Sequence, residues 1–323
     1  MLSDKLTYIV RANIKDEKIR DYLRYSESLS GRFIKSSGLT GKLLVNNKVV
    51  KLNHRINSDD IIEIDMKRNE HQNIEPEKMD LDIAYDDIDL LIVNKRPGIV
   101  VHPTRGYPNG TLANGVLYYF KERGEKCIVR LVSRLDMDTS GLIIIAKNQF
   151  SHMALARDMQ SKDMQSKDMQ SKDISNKDAA SKIFEKSYMA VVHGNMQNKS
   201  GTIDLPIGKP DEGCINRQVC DDGQRSITHY EVIDSYKNAD LVKVTLETGR
   251  THQIRVHFSH IGHPLYGDSL YGSSDPDYIN RQALHAYKLI IPQPRTGEQL
   301  TIESKLPDDI NELINKLKAE SGI

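Results

Sequence analysis

The sequence predicts an α+β protein built in two parts, a small α/β unit and a larger sheet-based domain. Three observations carry this. Beyond about Asp80 many strand-like apolar runs alternate with few long helical patterns. Before about Asp65 two short helical patterns precede a hairpin signal and a further strand. Between them, Lys67 to Lys78 is polar, lacks periodicity and contains Pro76, which reads as a linker. The expected division is therefore 1–66, a linker at 67–79, and 80–323.

Taken in order, Asp16 to Tyr25 places Ile19, Tyr22 and Leu23 at helical spacing, and Ser28 to Ser37 reads as a second short helix. Lys42 to Val50 reads as a hairpin, because Asn46-Asn47 adopts the left-handed conformations a tight turn needs. Ile61 to Asp65 reads as the strand that closes this unit. In the second part, Asp89 to Val93 and Leu142 to Ala146 are apolar runs of strand length, and Glu185 to Gly194 is a strand with an aromatic near its start. Asp308 to Ala319 carries Ile310, Leu313, Ile314 and Leu317 at amphipathic spacing and is expected to dock as a helix.

One segment is a tandem repeat. Asp158-Met159-Gln160-Ser161-Lys162 recurs twice more, and a degenerate fourth copy ends at Lys177. Five residues advance a helix by about 500°, so successive Met side chains rotate by ~140° and form no stripe. The aspartate precedes the lysine by four residues, the favourable order for helical ion pairs. The segment 158–177 reads as an exposed helical extension or a mobile insertion.

Composition bounds the class. The chain of 323 residues has 45 basic and 45 acidic side chains, so its overall charge does not announce a nucleic-acid binder. The distribution does. Leu29 to Ser58 contains no acid, yet it carries Arg32, Lys35, Lys42, Lys48, Lys51, His54 and Arg55. A basic surface confined to a small unit suits phosphate, and RNA binding is the expectation. No apolar run is long enough to cross a bilayer and the start of the chain has no apolar signal core, so a cytoplasmic protein is expected. Cys127, Cys214 and Cys220 lack paired metal spacing and read as reduced thiols. His257, His260 and His263 are evenly spaced, with His252 near, but Pro264 follows and no acid or Cys lies close by, so no metal site is expected.

The stretch with most chemistry is Ser133-Arg134-Leu135-Asp136-Met137-Asp138-Thr139-Ser140-Gly141. It holds a carboxylate at the mouth of a buried strand, where an acid is costly unless paired or used. Four further clusters accompany it. They are Asn94-Lys95-Arg96-Pro97-Gly98 running on to His102-Pro103, Lys186-Ser187-Tyr188-Met189-Ala190, Gly249-Arg250-Thr251-His252-Gln253-Ile254-Arg255, and Gly262 to Asp268 with Arg281 to Ala286 beyond.

Together these clusters resemble, in order and over essentially the whole chain, the RluA-type family of pseudouridine synthases, in the branch acting mostly on large-subunit ribosomal RNA. Residues 1–66 resemble the small αL-motif RNA-binding domain that commonly precedes the catalytic domain. The resemblance implies a mixed, mostly antiparallel sheet with a central cleft, preceded by the small α/β RNA-binding domain. It implies isomerisation of specific uridines in RNA to pseudouridine, without a cofactor, by a protein expected to be a monomer. Asp136 matches the family's catalytic aspartate, as nucleophile or as the group that begins glycosidic cleavage. Arg255 matches the arginine that pairs with it, and Tyr188 the tyrosine that stacks on the target base. Arg134, Arg250 and the loop with Lys95, Arg96 and His102 are expected to meet phosphates near the site, and Arg32, Lys35, Lys48, Lys51 and Arg55 to meet them further away. Asp138 falls on a variable position and is read as structural, a cap for the Thr-Ser-Gly turn. The chain departs from the family where Ser133 replaces the usual His, where Arg96 takes the place of a lysine with Lys95 before it, and at the repeat. Ser133 motivates the alternative reading, a catalytically silent RNA-binding or ribosome-assembly protein on the same fold.

Overall fold

The computed structural model describes residues 5–66, 72–165, 184–211 and 213–322. Residues 67–71 of the expected linker and 166–177 of the repeat lie outside the described residues.

The first unit runs β1 (Lys5–Ile9), β2 (Glu17–Lys18), α1 (Ile19–Tyr25), α2 (Gly31–Leu39), β3 (Leu43–Val45), β4 (Lys48–Val49), β5 (Arg55–Ile56) and β6 (Ile61–Asp65). Ile19, Tyr22 and Leu23 of α1 and Phe33 and Ile34 of α2 face a core completed by Leu6, Leu43, Ile62 and Ile64. The hairpin β3–β4 turns through Asn46 and Asn47, both with positive φ. Asn tolerates this conformation better than most residues. Ser30 caps α2 by accepting from the Phe33 N–H. Ile61–Asp65 does not close the sheet but lies inside it, because β1 pairs along its free side in the order β1-β6-β3-β4.

The second unit follows as β7 (Asp82–Asp86), β8 (Leu90–Lys95), α3 (Leu112–Glu122), β9 (Arg130–Leu131), β10 (Ser140–Ala146), α4 (Gln149–Gln165), β11 (Glu185–His193), β12 (Ser200–Asp204), β13 (Ile207–Gly208), β14 (Gln218–Val219), β15 (Ile227–Tyr236), β16 (Ala239–Leu246), α5 (Gln253–His260), β17 (Leu284–Pro292), β18 (Gln299–Glu303) and α6 (Asp308–Ser321). Its ten-stranded sheet has the path β12-β15-β16-β11-β17-β10-β8-β7, with β18 beside β17 and β9 beside β10. Among the described residues β10 and β17 pair in parallel and the other paired strands of this sheet run antiparallel. β10 is buried throughout because both its faces are covered. Ile143 and Ile145 pack with Val116 and Phe120 of α3, while Leu142 and Ile144 pack with Leu155 of α4 and Leu289 of β17. Such two-sided burial gives a continuous apolar run rather than alternation.

The seam between β10 and β17 fixes the start of β10. Gly141 has φ of 111°, and a Cβ there would strike the Ala286 carbonyl, so only glycine fits. The loop before β10 is thereby delivered to the sheet's centre, beside β17 and, next to it, β11. α4 carries the first repeat copy at its C-terminal end and also reaches the first unit. Phe150 packs at a tilt against Phe33, ring centroids 6.3 Å apart, and Arg157 Nη1 donates to the Ser28 carbonyl at 2.8 Å.

Candidate active site

Asp136 sits in the loop between β9 and β10, where the Thr139 N–H donates to the Asp136 carbonyl at 3.2 Å and closes a turn. Three basic or amide side chains hold this loop by its backbone and hydroxyl. Lys95 Nζ, at the end of β8, donates to the Met137 carbonyl at 2.7 Å. Arg281 Nη1 donates to the Asp138 carbonyl at 3.0 Å and Gln282 Nε2 to Thr139 Oγ1 at 3.3 Å. Asp138 thus serves through its carbonyl rather than as a side-chain cap.

The Asp136 side chain is 27% exposed, which leaves it open to a substrate yet within reach of fixed partners. Arg255 Nη1, from α5, donates to Asp136 Oδ2 at 3.0 Å. The same guanidinium is clamped from behind: Nε and Nη2 donate to the two oxygens of Asp268 at 2.7 and 2.8 Å. Asp268 is 0% exposed at its side chain, and it also accepts the backbone N–H groups of Leu270 and Tyr271. Burial works against the Arg255 charge, but the Asp268 hydrogen bonds and charge, then Asp136, outweigh it and hold the guanidinium above its ordinary value. The bidentate pair therefore fixes a cation that cannot be lost, and one nitrogen is left over for Asp136.

Tyr188 lies on β11, 6% exposed, where the β11–β17 register shifts between Ser187 and Tyr188. A bulge at this point re-aims the side chain that follows it. Burial, then the Asp136 charge, pushes the phenol above its ordinary pKa, so it stays protonated at neutral pH. Asp136, Tyr188, Arg255, Arg134, Arg250 and His252 line one cleft, with Leu135, Leu246, Ile254 and Leu284 as its apolar wall. Arg134 is exposed at the rim, and Arg250 is half-buried, with Nε donating to the Arg225 carbonyl at 3.2 Å.

The remaining cations lie elsewhere. Lys95 departs from the expectation of a phosphate contact: it is 1% exposed, and its ammonium donates to the carbonyls of Arg96, Ile99 and Met137. Three donors meet three acceptors, and no proton is left for a phosphate. Arg96 is exposed and paired with Asp80 at 2.7 Å, and His102 is exposed on the loop that follows. Arg32, Lys35, Lys48, Lys51 and Arg55 are exposed on the first unit, with Arg55 paired to Asp16. Arg32 and Lys35 flank an open groove on α2 with Leu39 and Thr40. Of the histidines, His257 bonds Thr228 Oγ1 and the Leu205 carbonyl, and His263 bonds the His193 carbonyl. Among the described residues no three His, Cys, Asp or Glu side chains are grouped to hold a metal ion.

The model of the family described as RNA pseudouridylate synthase matches residues 89–260, which span both the Asp136 loop and Arg255. The chain belongs to this family. Among RNA pseudouridine synthases, a Bacillus subtilis relative, "Uncharacterized RNA pseudouridine synthase YlyB", is 38% identical over 308 residues, 94% of this chain and 95% of the relative. "Ribosomal large subunit pseudouridine synthase D" of Haemophilus influenzae is 35% identical over 318 residues, 92% of each. The solved structure of "Human RNA Pseudouridylate Synthase Domain Containing 1" superposes with a TM-score of 0.55 at 25% identity, covering 76% of this chain and 98% of its own. The mixed, mostly antiparallel α+β fold is thus that of a pseudouridine synthase, and the protein is an RNA-modifying isomerase.

Sequence reasoning missed three residues in or behind this pseudouridine synthase cleft. Asp268 closes the Gly262–Asp268 cluster, but it lies 13 residues from Arg255 and nothing local marks it as the acid behind that guanidinium. His252 lay inside the Arg250–Arg255 run but was weighed as a metal ligand or a packing histidine, not as a partner of Asp136. Arg281 opened the Arg281–Ala286 cluster, yet its partner Asp309, on α6 at 2.6 Å, is 28 residues away and carries no local signal.

Proposed function

We propose that this pseudouridine synthase isomerises specific uridines of large-subunit ribosomal RNA, acting as a cytoplasmic monomer, with Asp136 as the essential residue. The observation that carries the reading is the Asp136–Arg255 contact of 3.0 Å at the floor of a cleft shared with Tyr188. The name of the Haemophilus influenzae relative supports the choice of RNA.

The reaction detaches uracil from its ribose, turns it and rejoins it through carbon. Oxidation state does not change, so the chain's own groups suffice. The target uridine leaves its stack to reach the cleft, which costs a few kcal/mol and favours unpaired bases. Its base lies against Tyr188 while Arg134 and Arg250 meet the flanking phosphates. Asp136 attacks as nucleophile or begins glycosidic cleavage, and it is held in one rotamer by Arg255. The acid-free surface from Leu29 to Ser58, with Arg32, Lys35, Lys48, Lys51 and Arg55, adds phosphate contacts that raise local concentration without supplying chemistry.

Pseudouridine mapping of ribosomal RNA from cells with and without the protein tests this reading. At least one large-subunit pseudouridine should vanish in its absence and return when the wild-type chain is restored. An unchanged map would favour the silent RNA-binding alternative.

A further inference from the structure

Asp136 offers two carboxylate oxygens, and Arg255 takes only Oδ2. Oδ1 faces His252 Nε2 at 3.8 Å across the cleft. The His252 ring is itself anchored. Its Nδ1 lies 2.8 Å from the Tyr271 hydroxyl, and that same hydroxyl accepts the Arg217 backbone N–H at 2.8 Å. A phenol has one proton to give, and no other acceptor within bonding distance of it is found among the described residues. The Tyr271 proton therefore points at Nδ1, Nδ1 accepts, and the ring proton sits on Nε2, toward Asp136. Tyr271 is fixed in turn, because its N–H donates to Asp268 and its ring lies 5.1 Å from the Arg255 guanidinium carbon. The residue that clamps Arg255 thus also places the tyrosine that orients His252.

The backbone supports a role for this position. His252 is the N-cap of α5 with φ of 58° and ψ of 18°, the left-handed region, and its side chain makes no cap hydrogen bond. Non-glycine residues held there cost of order 1 kcal/mol and persist where the surroundings over-determine them. Here the conformation turns the ring away from the helix end and into the cleft.

We infer that His252 is a second positioning residue for Asp136, a neutral imidazole whose Nε2–H is aimed at Oδ1 by a relay running from the Arg217 backbone through the Tyr271 hydroxyl. With Arg255 on Oδ2, this donor fixes the carboxylate plane from its other side and leaves one lone pair of Oδ1 to react. A distance of 3.8 Å in the free enzyme closes to a hydrogen bond when substrate excludes water, as is common in apo sites. The imidazole must be neutral for the relay to hold. Burial lowers its pKa first, Asp136 and Asp268 pull it up, and Arg255 and Arg217 push it down, leaving it below the ordinary imidazole value. On acidification Nδ1 gains a proton that faces the Tyr271 oxygen, the relay reverses, and a second cation ties up Asp136.

This inference rests on the reading of Asp136 as the essential carboxylate, and the test separates the two. Large-subunit ribosomal RNA transcribed with tritium at uridine carbon-5 is the probe, and tritium release is followed against RNA concentration and pH. His252→Asn keeps a residue that tolerates the left-handed backbone but withdraws the donor. It should lower kcat about 10- to 100-fold with KM within about twofold of wild type. His252→Gln reaches further with a donor that cannot ionise. It should restore kcat to within about threefold of wild type and lose the part of the acid limb that belongs to the imidazole. Tyr271→Phe leaves His252 in place but frees its tautomer, and should lower kcat at least about threefold and move the acid limb. Wild-type kcat in His252→Asn, or a His252→Gln enzyme as slow as His252→Asn with the wild-type acid limb, overturns the inference. So does a Tyr271→Phe enzyme with unchanged rate and limb. Asp136→Asn is run beside them. If it is inactive, the His252 results judge the relay alone; if it releases tritium, the reading of Asp136 falls and the relay with it.

Discussion

A single guanidinium between two acids sets the character of the cleft at the scale of residues. Arg255 gives two hydrogen bonds to the buried Asp268 and one to the accessible Asp136. The buried acid therefore determines, through Arg255, where the accessible acid stands. Asp268→Asn breaks the buried bidentate pair and leaves the arginine with the half-exposed Asp136 alone, and breaking a buried pair typically costs about 3–5 kcal/mol. A urea titration should show that loss together with reduced tritium release, and a variant of unchanged midpoint and rate would contradict it. Lys95 makes a second prediction. Burial, offset by Asp138 and Asp136 and reinforced by Arg281, pushes its ammonium from 10.5 down to about 8. Between about 8 and 10.5 the unfolded chain holds a proton that the folded chain has shed, so this group's contribution to stability rises with pH across that window. The stability difference between wild type and Lys95→Met, measured in denaturant at stepped pH, should shift in favour of wild type from pH 8 to pH 10.5. A pH-independent difference would contradict the burial of the charge. That Asp136, Arg255 and Tyr188 share one cleft was expected from the order and residue types of their motifs, although these lie far apart in the chain. Lys95 was misread as a phosphate contact because a lysine beside Arg96-Pro97-Gly98 looks the same in sequence whether its ammonium points outward or back to the Met137 carbonyl.

The elements explain why the cleft forms where it does. β10 was readable as a strand from Leu142–Ala146 alone, since two-sided burial writes a continuous apolar run. Its neighbour was not readable, because the parallel partner β17 begins 144 residues after it and strand pairing leaves no local trace. The same limit hid β1 as the partner that places Ile61–Asp65 inside the first sheet, since only Leu6 of that short strand is fully buried. Gly141 is where the pairing becomes visible as a constraint. Gly141→Ala forces a Cβ onto the Ala286 carbonyl and demands a left-handed φ, so it should cost about 1–3 kcal/mol and displace the Asp136 loop. Thermal unfolding together with tritium release checks this, and a variant with wild-type melting and activity would show that the seam yields. α6 was readable as an amphipathic helix, but Asp309 in its first turn, which grips Arg281 and through it the Asp138 carbonyl, gives the helix a second task that its pattern does not contain.

At the scale of the whole molecule, the first unit is tied to the second by specific bonds rather than by chain connection alone. Arg295 pairs with the buried Asp89 and donates to the Lys5 carbonyl at 2.7 Å, while Phe150 and Met153 of α4 pack into the core of the first unit. This docking was not legible in the sequence, because Asp89, Arg295 and Lys5 are scattered over the length of the chain. The cations Arg32, Lys35, Lys48 and Lys51 of the acid-free stretch are exposed on this docked unit, and the proposed phosphate contacts are tested there. Replacing Arg32 and Lys35 together by Ala should flatten the dependence of log affinity on log salt by about 1.5 for RNA, with kcat at saturating RNA unchanged. An unchanged slope would remove α2 from the contact surface. The central claim, that Asp136 carries the reaction, is tested most directly by Asp136→Asn in the tritium-release assay with RNA binding measured in parallel. The account predicts wild-type affinity with no release above background. Full release from that variant would contradict it.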